Sequence, residues 1–335
     1  MTAYRRIVVG AHSSPTSEVA EEVAARLVHQ LGAEMILIHV SDDMVKGEAI
    51  LRSAAARARA LGVDAQTVHR QGDVAESIVG AAAEFHADLL VIGDHGMGEA
   101  SRLGLGGLPS QVAHHSPIDI LVVRTAHPAQ QHSYRRILIA TDGSQTAHQA
   151  ARHGHALAKA VGAEVALIYV GDELIGDIVL RDTAARFDNE TTDRIVMKGS
   201  PATQISKAAG DYDLVVVGNK GMTGSRRYIQ RVVPSRVAHE AASDVLIVKT
   251  VSRFLFDLRP GEGAVVEMDG DKVAAYLHDD GTTYTVSARC QHMGCIVEWN
   301  GRARTWDCPC HGSRYEYTGA IINGPTTKPL PPVET

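Results

Sequence analysis

The chain has 335 residues, with 33 Lys and Arg against 39 Asp and Glu, a net charge of −6 and a pI near 6.3. That balance gives no global electrostatic case for nucleic acid or an anionic membrane, and the length suggests about two or three domains. There is no run of about 18 apolar residues and no sustained apolar stretch behind Met1, so a cytoplasmic, soluble protein without a membrane span is expected.

In chain order, short apolar runs at Arg6–Ala11, Met35–Val40, Leu89–Gly93 and Ile120–Val123 suit strands buried on both faces of a parallel sheet. Ala-rich amphipathic stretches at Ser17–Leu31, Lys46–Leu61 and Val74–Phe85 predict helices between them. Ser13 and Ser14 are placed to begin a helix rather than to attack a substrate, and Gly32 to end one. Residues 126–133 read as a polar linker.

The pattern then repeats. Tyr4-Arg-Arg-Ile-Val-Val-Gly10 returns as Tyr134-Arg-Arg-Ile-Leu-Ile-Ala140, and Leu31-Gly-Ala-Glu34 as Val161-Gly-Ala-Glu164. Asp88–Gly93 matches Asp213–Gly218, and Ile120–Thr125 matches Val245–Thr250. A helix is predicted at Thr146–Val161, with Ser144 before it and Gly162 after it. The offset falls from 130 to 125 residues along the copy, which fits a duplicated domain rather than a solenoid array. Strand–helix alternation calls for an open doubly wound α/β sheet of five strands per copy. The expected domains are 1–125, 134–250 and 251–335.

After residue 250 the composition changes: both Trp and all four Cys lie there. Short strands at Ala264–Met268, Lys272–His278, Tyr284–Ala288 and Ile296–Trp299, with Asp269-Gly270 and Asp280-Gly281 as turns, predict a small antiparallel β domain. At this size a hydrophobic core is marginal and a metal cluster or disulfide helps folding. Cys290-x-His292 and Cys308-x-x-His311, fifteen residues apart, offer two thiolates and two imidazoles, the ligand set of a Rieske 2Fe–2S cluster. A Cys₂His₂ zinc site uses the same donors, and two structural disulfides would leave the histidines idle. His114, His115, His153 and His155 fall on predicted helices and read as surface or packing residues. No serine–histidine–acid or paired-carboxylate arrangement supports a hydrolase.

The order of features over residues 4–125 and 134–250 resembles the universal stress protein family. That resemblance implies Rossmann-like five-stranded sheets, many of which pair through their last strand, so two copies would form an internal pseudo-dimer, with further oligomerisation open. ATP-binding members carry a Gly-x-x-Gly, nine residues, then Gly-Ser or Gly-Thr, and an Asp after the first strand. Here Gly93, Gly96 and Gly106 match in copy one, but Gly107 replaces the hydroxyl and His12 the acid. Copy two keeps Asp142, Gly218 and Gly221, while Arg231 and Val232 replace the final pair. Each half-site lacks something the other has, and ATP is the implied ligand. Arg226, Arg227, Arg231 and Arg236 could grip phosphate or lie on solvated surface.

Cys290 to Pro325 closely resembles the Rieske subunits of quinol-oxidising complexes, sharing C-x-H-x-G-C, C-P-C-H-G-S-x-Y and a late Gly-Pro. The resemblance implies that Cys290 and Cys308 ligate one iron and His292 and His311 the other. It pairs Cys295 with Cys310 in a disulfide, and makes Ser313 and Tyr315 donors that raise the potential. Zinc explains none of those four residues. His-ligated clusters span about −150 to +300 mV, against about −400 mV for plant-type ones; both donors are present, so the upper half is expected. By resemblance the potential also falls as pH rises. The implied function is a one-electron carrier or redox-responsive protein with a partner protein or small-molecule donor or acceptor at the His292/His311 edge. The alternative is an adenine-nucleotide-binding stress regulator with the Rieske domain as redox sensor. A terminal oxygenase is not expected, since only 24 residues follow His311, though a ferredoxin feeding one is open.

Overall fold

The computed structural model describes residues 4–94, 108–124, 134–187, 193–219, 233–249, 258, 260–268, 271–280 and 282–333. The predicted linker 126–133, Gly96, Gly106, Gly221, Arg226, Arg227, Arg231 and the Asp269-Gly270 turn lie outside these. The chain divides into two compact units.

The first unit follows the expected alternation. Copy one runs β1 (Arg6–Gly10), α1 (Pro15–Leu31), β2 (Glu34–Val40), α2 (Met44–Ala60), β3 (Ala65–Arg70), α3 (Val74–Glu84), β4 (Leu89–Gly93), α4 (Leu108–His115) and β5 (Asp119–Val123). Copy two runs β6 (Arg136–Ala140), α5 (Gln145–Val161), β7 (Glu164–Val170), α6 (Glu173–Ala185), β8 (Asp193–Met197), α7 (Pro201–Ala208), β9 (Leu214–Gly218), α8 (Val233–Glu240) and β10 (Asp244–Val248). Ser14 and Ser144 cap α1 and α5 by accepting the N–H of Ser17 and Ala147, which satisfies otherwise orphaned donors of the first turn. Gly32 and Gly162 end the same helices at φ 63° and 73°, where a side chain would be strained.

All ten strands form one sheet in the order β3-β2-β1-β4-β5-β10-β9-β6-β7-β8. Within each copy the pairing is parallel; the copies meet through β5 and β10, antiparallel, with Leu121 opposite Leu246. The central strands β5 and β10 are buried throughout, because helices cover both faces. Each copy changes direction of winding beside its first strand, and a crevice opens there at the strands' C-terminal ends.

The β5–β10 seam is fixed by two buried carboxylates at equivalent positions. Asp119 accepts the Tyr4 hydroxyl at 2.8 Å, His153 Nδ1–H at 2.8 Å and the Lys249 N–H at 2.9 Å. Asp244 accepts the Tyr134 hydroxyl at 2.8 Å and the Arg124 N–H at 2.7 Å. Each acid thus holds a tyrosine of its own copy and the backbone of the other. Burial pushes the Asp244 carboxyl up to about 7 despite these donors, and burial pulls Lys249 down to about 8. His153 is a hydrogen-bonded seam residue, and His155 stacks on Phe187 at 4.5 Å.

The second unit is antiparallel. A three-stranded sheet holds β11 (Gly263–Met268), β12 (Asp271–Leu277) and β13 (Thr283–Ser287). A four-stranded sheet holds β14 (Glu298–Asn300), β15 (Thr305–Asp307), β16 (Arg314–Glu316) and β17 (Ile321–Asn323). The predicted strand Ile296–Trp299 starts two residues later, because Ile296 is spent on an isolated bridge to Arg289. Strands β15 to β17, three residues each, were too short to show a period. The core comprises Ala274, Tyr276, Val286, Val297, Trp306 and Tyr315 with Cys290 and Cys308.

Candidate metal centre

Two loops of the second unit fold to the same plan. In Cys290–Cys295 the Cys290 N–H donates to the Cys295 carbonyl at 2.8 Å, and Gly294 N–H returns to the Cys290 carbonyl at 2.8 Å. In Cys308–Ser313 the Cys308 N–H donates to the Ser313 carbonyl at 2.7 Å, and Gly312 N–H to the Cys308 carbonyl at 3.1 Å. Gly294 and Gly312 adopt φ 75° and 73°, a region open to glycine. The shared Cys-x-x-x-Gly spacing is therefore a turn requirement as well as a donor pattern.

Cys290 and Cys308 are buried and free, whereas His292 and His311 are exposed with ring centroids 4.9 Å apart. Cys295 and Cys310 form a disulfide joining the two loops. The sulfurs of Cys295, Cys308 and Cys310 lie within 4.8 Å of one another, which places the disulfide against the second loop's free thiol. Tyr315 Oη lies 3.1 Å from Cys290 Sγ and accepts the Gln291 N–H at 3.2 Å. Burial alone would raise the Cys290 thiol; hydrogen bonds from Tyr315, the His292 backbone and Cys308 outweigh it and hold the thiol below its ordinary range. Burial first, then the bond to Cys290, raises Tyr315, which keeps its proton.

Ser313 is fully buried, and its hydroxyl has no hydrogen-bond partner among the described residues. An orphaned donor of this kind beside two thiols fits a cluster that brings acceptor sulfide. The Gly324-Pro325 loop closes over it: a Cβ on Gly324 would collide with Ser313 Cα and the Gly312 carbonyl. Beneath the second loop Asp307 accepts from Arg314 Nε, Asn300 Nδ2 and Thr305 Oγ1, each at 2.8 Å. Asp307 and Arg314 are direct cross-strand partners, a pairing that could be seen only once the short strands were in register.

The crevices of the first unit differ. In copy one a cavity of about 50 Å³ is lined by Gly10, His12, Ser14, His39 and Gly93. His39 Nδ1 donates to the Ala11 carbonyl at 2.8 Å, and the His12 ring lies 6.1 Å from it. Burial holds His12 below its usual range. In copy two a cavity of about 210 Å³ is lined by Thr141, Asp142, Ser144, Ile168, Val170 and Gly218. Arg236 pairs with Glu240 at 2.9 Å on its own helix. No helix among the described residues is long and apolar enough to cross a membrane.

The Universal stress protein family profile matches residues 3–55, 43–124, 133–179 and 172–249, and the Rieske [2Fe-2S] domain profile matches 251–334. The Rieske part is similar to the candidate Rieske 2Fe-2S iron-sulfur protein YhfW of Bacillus subtilis (strain 168), 44% identical over 78 residues, 23% of this chain and 15% of that protein. It is also similar to the cytochrome b6-f complex iron-sulfur subunit 1 of the Cyanophora paradoxa cyanelle, 40% identical over 93 residues, 26% of this chain and 38% of that one. The chain thus spans well under half of the length of these relatives. The stress-protein part has the fold of a universal stress protein from Archaeoglobus fulgidus DSM 4304, with TM-score 0.63 and 18% identity, covering 74% of this chain and 97% of that structure. The chain belongs to the universal stress protein family, with two copies of that domain followed by a C-terminal Rieske 2Fe–2S domain.

Proposed function

We propose that the chain is a one-electron carrier or redox-responsive protein built on a high-potential Rieske cluster. Cys290 and Cys308 would hold one iron and His292 and His311 the other. When bound, the cluster supplies a single reversible electron at a high potential for iron–sulfur chemistry. The observation that carries this reading is the loop pair itself: two free buried thiols and two facing, exposed imidazoles on disulfide-joined turns. With the cluster bound, Tyr315 would donate to Cys290 and Ser313 to a sulfide, and both hydrogen bonds would favour the more negative, reduced state. The exposed imidazoles give a donor or acceptor a short approach, while Cys290 and Cys308 remain screened from water.

The tandem stress-protein unit serves on this account as a docking or nucleotide-responsive module. The larger crevice of copy two, with Asp142, Ser144 and Gly218 on its wall, favours the second reading, an adenine-nucleotide regulator with the Rieske domain as sensor. A redox titration with and without ATP separates the two, since only the sensor reading couples ATP to the cluster's potential. His311→Cys tests the ligand assignment: a thiolate in place of a neutral imidazole lowers the potential, and an unchanged potential removes His311 from the set.

A further inference from the structure

Between residues 258 and 333 the chain has Tyr276, Tyr284, Trp299, Trp306, Tyr315 and Tyr317 and no phenylalanine. All six form one connected series. Tyr315 touches Cys290 Sγ at 3.1 Å and stands directly opposite Trp306 across β15 and β16, where facing Cβ atoms are about 5 Å apart. From Trp306 the ring centroids step 4.7 Å to Trp299, 4.8 Å to Tyr276, 4.8 Å to Tyr317 and 5.0 Å to Tyr284. Tyr315, Trp306 and Tyr276 are fully buried, whereas Tyr317 and Tyr284 are half-buried beside His278. Packing alone would be served as well by phenylalanine, which fills nearly the same volume but is not readily oxidised. Here every ring is a phenol or an indole, and the series runs from the cluster loops to the surface.

We propose that these rings are a second electron-transfer route, which leaves the Rieske domain through β12 and β13 instead of through His292 and His311. The proposal rests on the cluster reading above. An outer-sphere oxidant strong enough to oxidise phenol takes one electron from Tyr284 or Tyr317, whose proton passes to water or His278. The Tyr276 hydroxyl is buried and has no hydrogen-bond partner among the described residues, so this ring keeps its proton and its electron and only bridges the vacancy to Trp299, which Trp306 then refills, one electron per step. Trp306 Nε1 has no hydrogen-bond partner among the described residues, so its oxidised form keeps its proton as a cation radical. With a reduced cluster bound, Cys290 and Tyr315 would conduct the last electron from it to Trp306. In net terms the cluster loses one electron, the oxidant gains one, and each ring recovers the electron and proton it gave up.

The test uses the full-length, cluster-loaded chain with a ruthenium polypyridyl photo-oxidant attached through Thr282→Cys, an exposed position beside Tyr284. A flash should produce a transient indole radical and then oxidise the reduced cluster. In Trp299→Phe and Trp306→Phe, cluster oxidation from this label should slow by at least an order of magnitude, with the reduced-state EPR spectrum unchanged. Cluster oxidation at the wild-type rate in Trp299→Phe overturns the route. If Trp306→Phe, fully buried, fails to hold the cluster, the half-buried Trp299→Phe decides alone. A wild-type chain without a His-ligated EPR signal defeats the cluster reading instead. The ring route is then judged by the indole radical, and its absence overturns the route too.

Discussion

Tyr315 Oη lies 3.1 Å from Cys290 Sγ and at the same time accepts the Gln291 N–H at 3.2 Å. With its lone pair engaged by Gln291, the tyrosine directs its own proton at sulfur. Tyr315→Phe deletes that donor and keeps the ring. A hydrogen bond worth about 1–2 kcal/mol more in the reduced state corresponds to about 40–90 mV for one electron. A redox titration should therefore find the midpoint lower by that amount in Tyr315→Phe, and lower again in Ser313→Ala. An unmoved midpoint in both variants means that neither hydroxyl faces the cluster.

The Cys295–Cys310 disulfide closes a loop with sequence separation 15. In the chain-entropy model such closure contributes about 3 kcal/mol. The double variant Cys295→Ser, Cys310→Ser should unfold at lower denaturant and lose iron faster to a chelator, with Cys290, Cys308 and both histidines intact. Iron retention equal to wild type would show that the two turns hold their geometry without the crosslink.

Much of this was legible in the residues. The repeat of Tyr4–Gly10 at Tyr134–Ala140 marked a duplicated domain, and the antiparallel β5–β10 junction that joins the copies into one sheet follows from a pairing mode implied by resemblance alone. The loop cysteines and histidines were visible because each Cys–His pair is local to one short loop, whose Cys-x-x-x-Gly turn is used twice. What could not be read was long-range and polar. Nothing local to Asp119 announces that it joins Tyr4, His153 and Lys249, residues separated along the chain. The Asp307–Arg314 bracket was hidden for the same reason, since three-residue strands carry no hydrophobic period.

Asp244 binds its proton more tightly in the folded chain, near 7, than its ordinary 3.8. Between those values the folded state holds a proton that the unfolded state has lost, so stability falls as pH rises from about 4 to 7. Lys249, pulled to about 8 from 10.5, acts in the opposite window, and stability recovers as pH rises above 8. Asp244→Asn should flatten the lower limb of the stability profile while leaving the upper limb, as read by urea unfolding across pH 4 to 10. A lower limb unchanged in slope would show that another group controls it.

The two crevices should differ in ligand binding. Asp142→Ala removes a carboxylate from the wall of the 210 Å³ cavity, and loss of a charged hydrogen bond costs about 1.5–3 kcal/mol, or about 10- to 100-fold in Kd. Isothermal titration with ATP should show that loss in Asp142→Ala and little change in His12→Ala, whose crevice is about 50 Å³. Equal effects of the two substitutions would contradict a single working site in copy two.

The most direct measurement is nitrogen-resolved EPR on the reduced full-length chain, taken together with iron and acid-labile sulfide analysis. The account predicts a two-iron, two-sulfide cluster whose spectrum carries couplings to two imidazole nitrogens, one of which disappears in His311→Cys. A protein loaded with zinc and silent in EPR, or an iron–sulfur signal without nitrogen coupling, would contradict it.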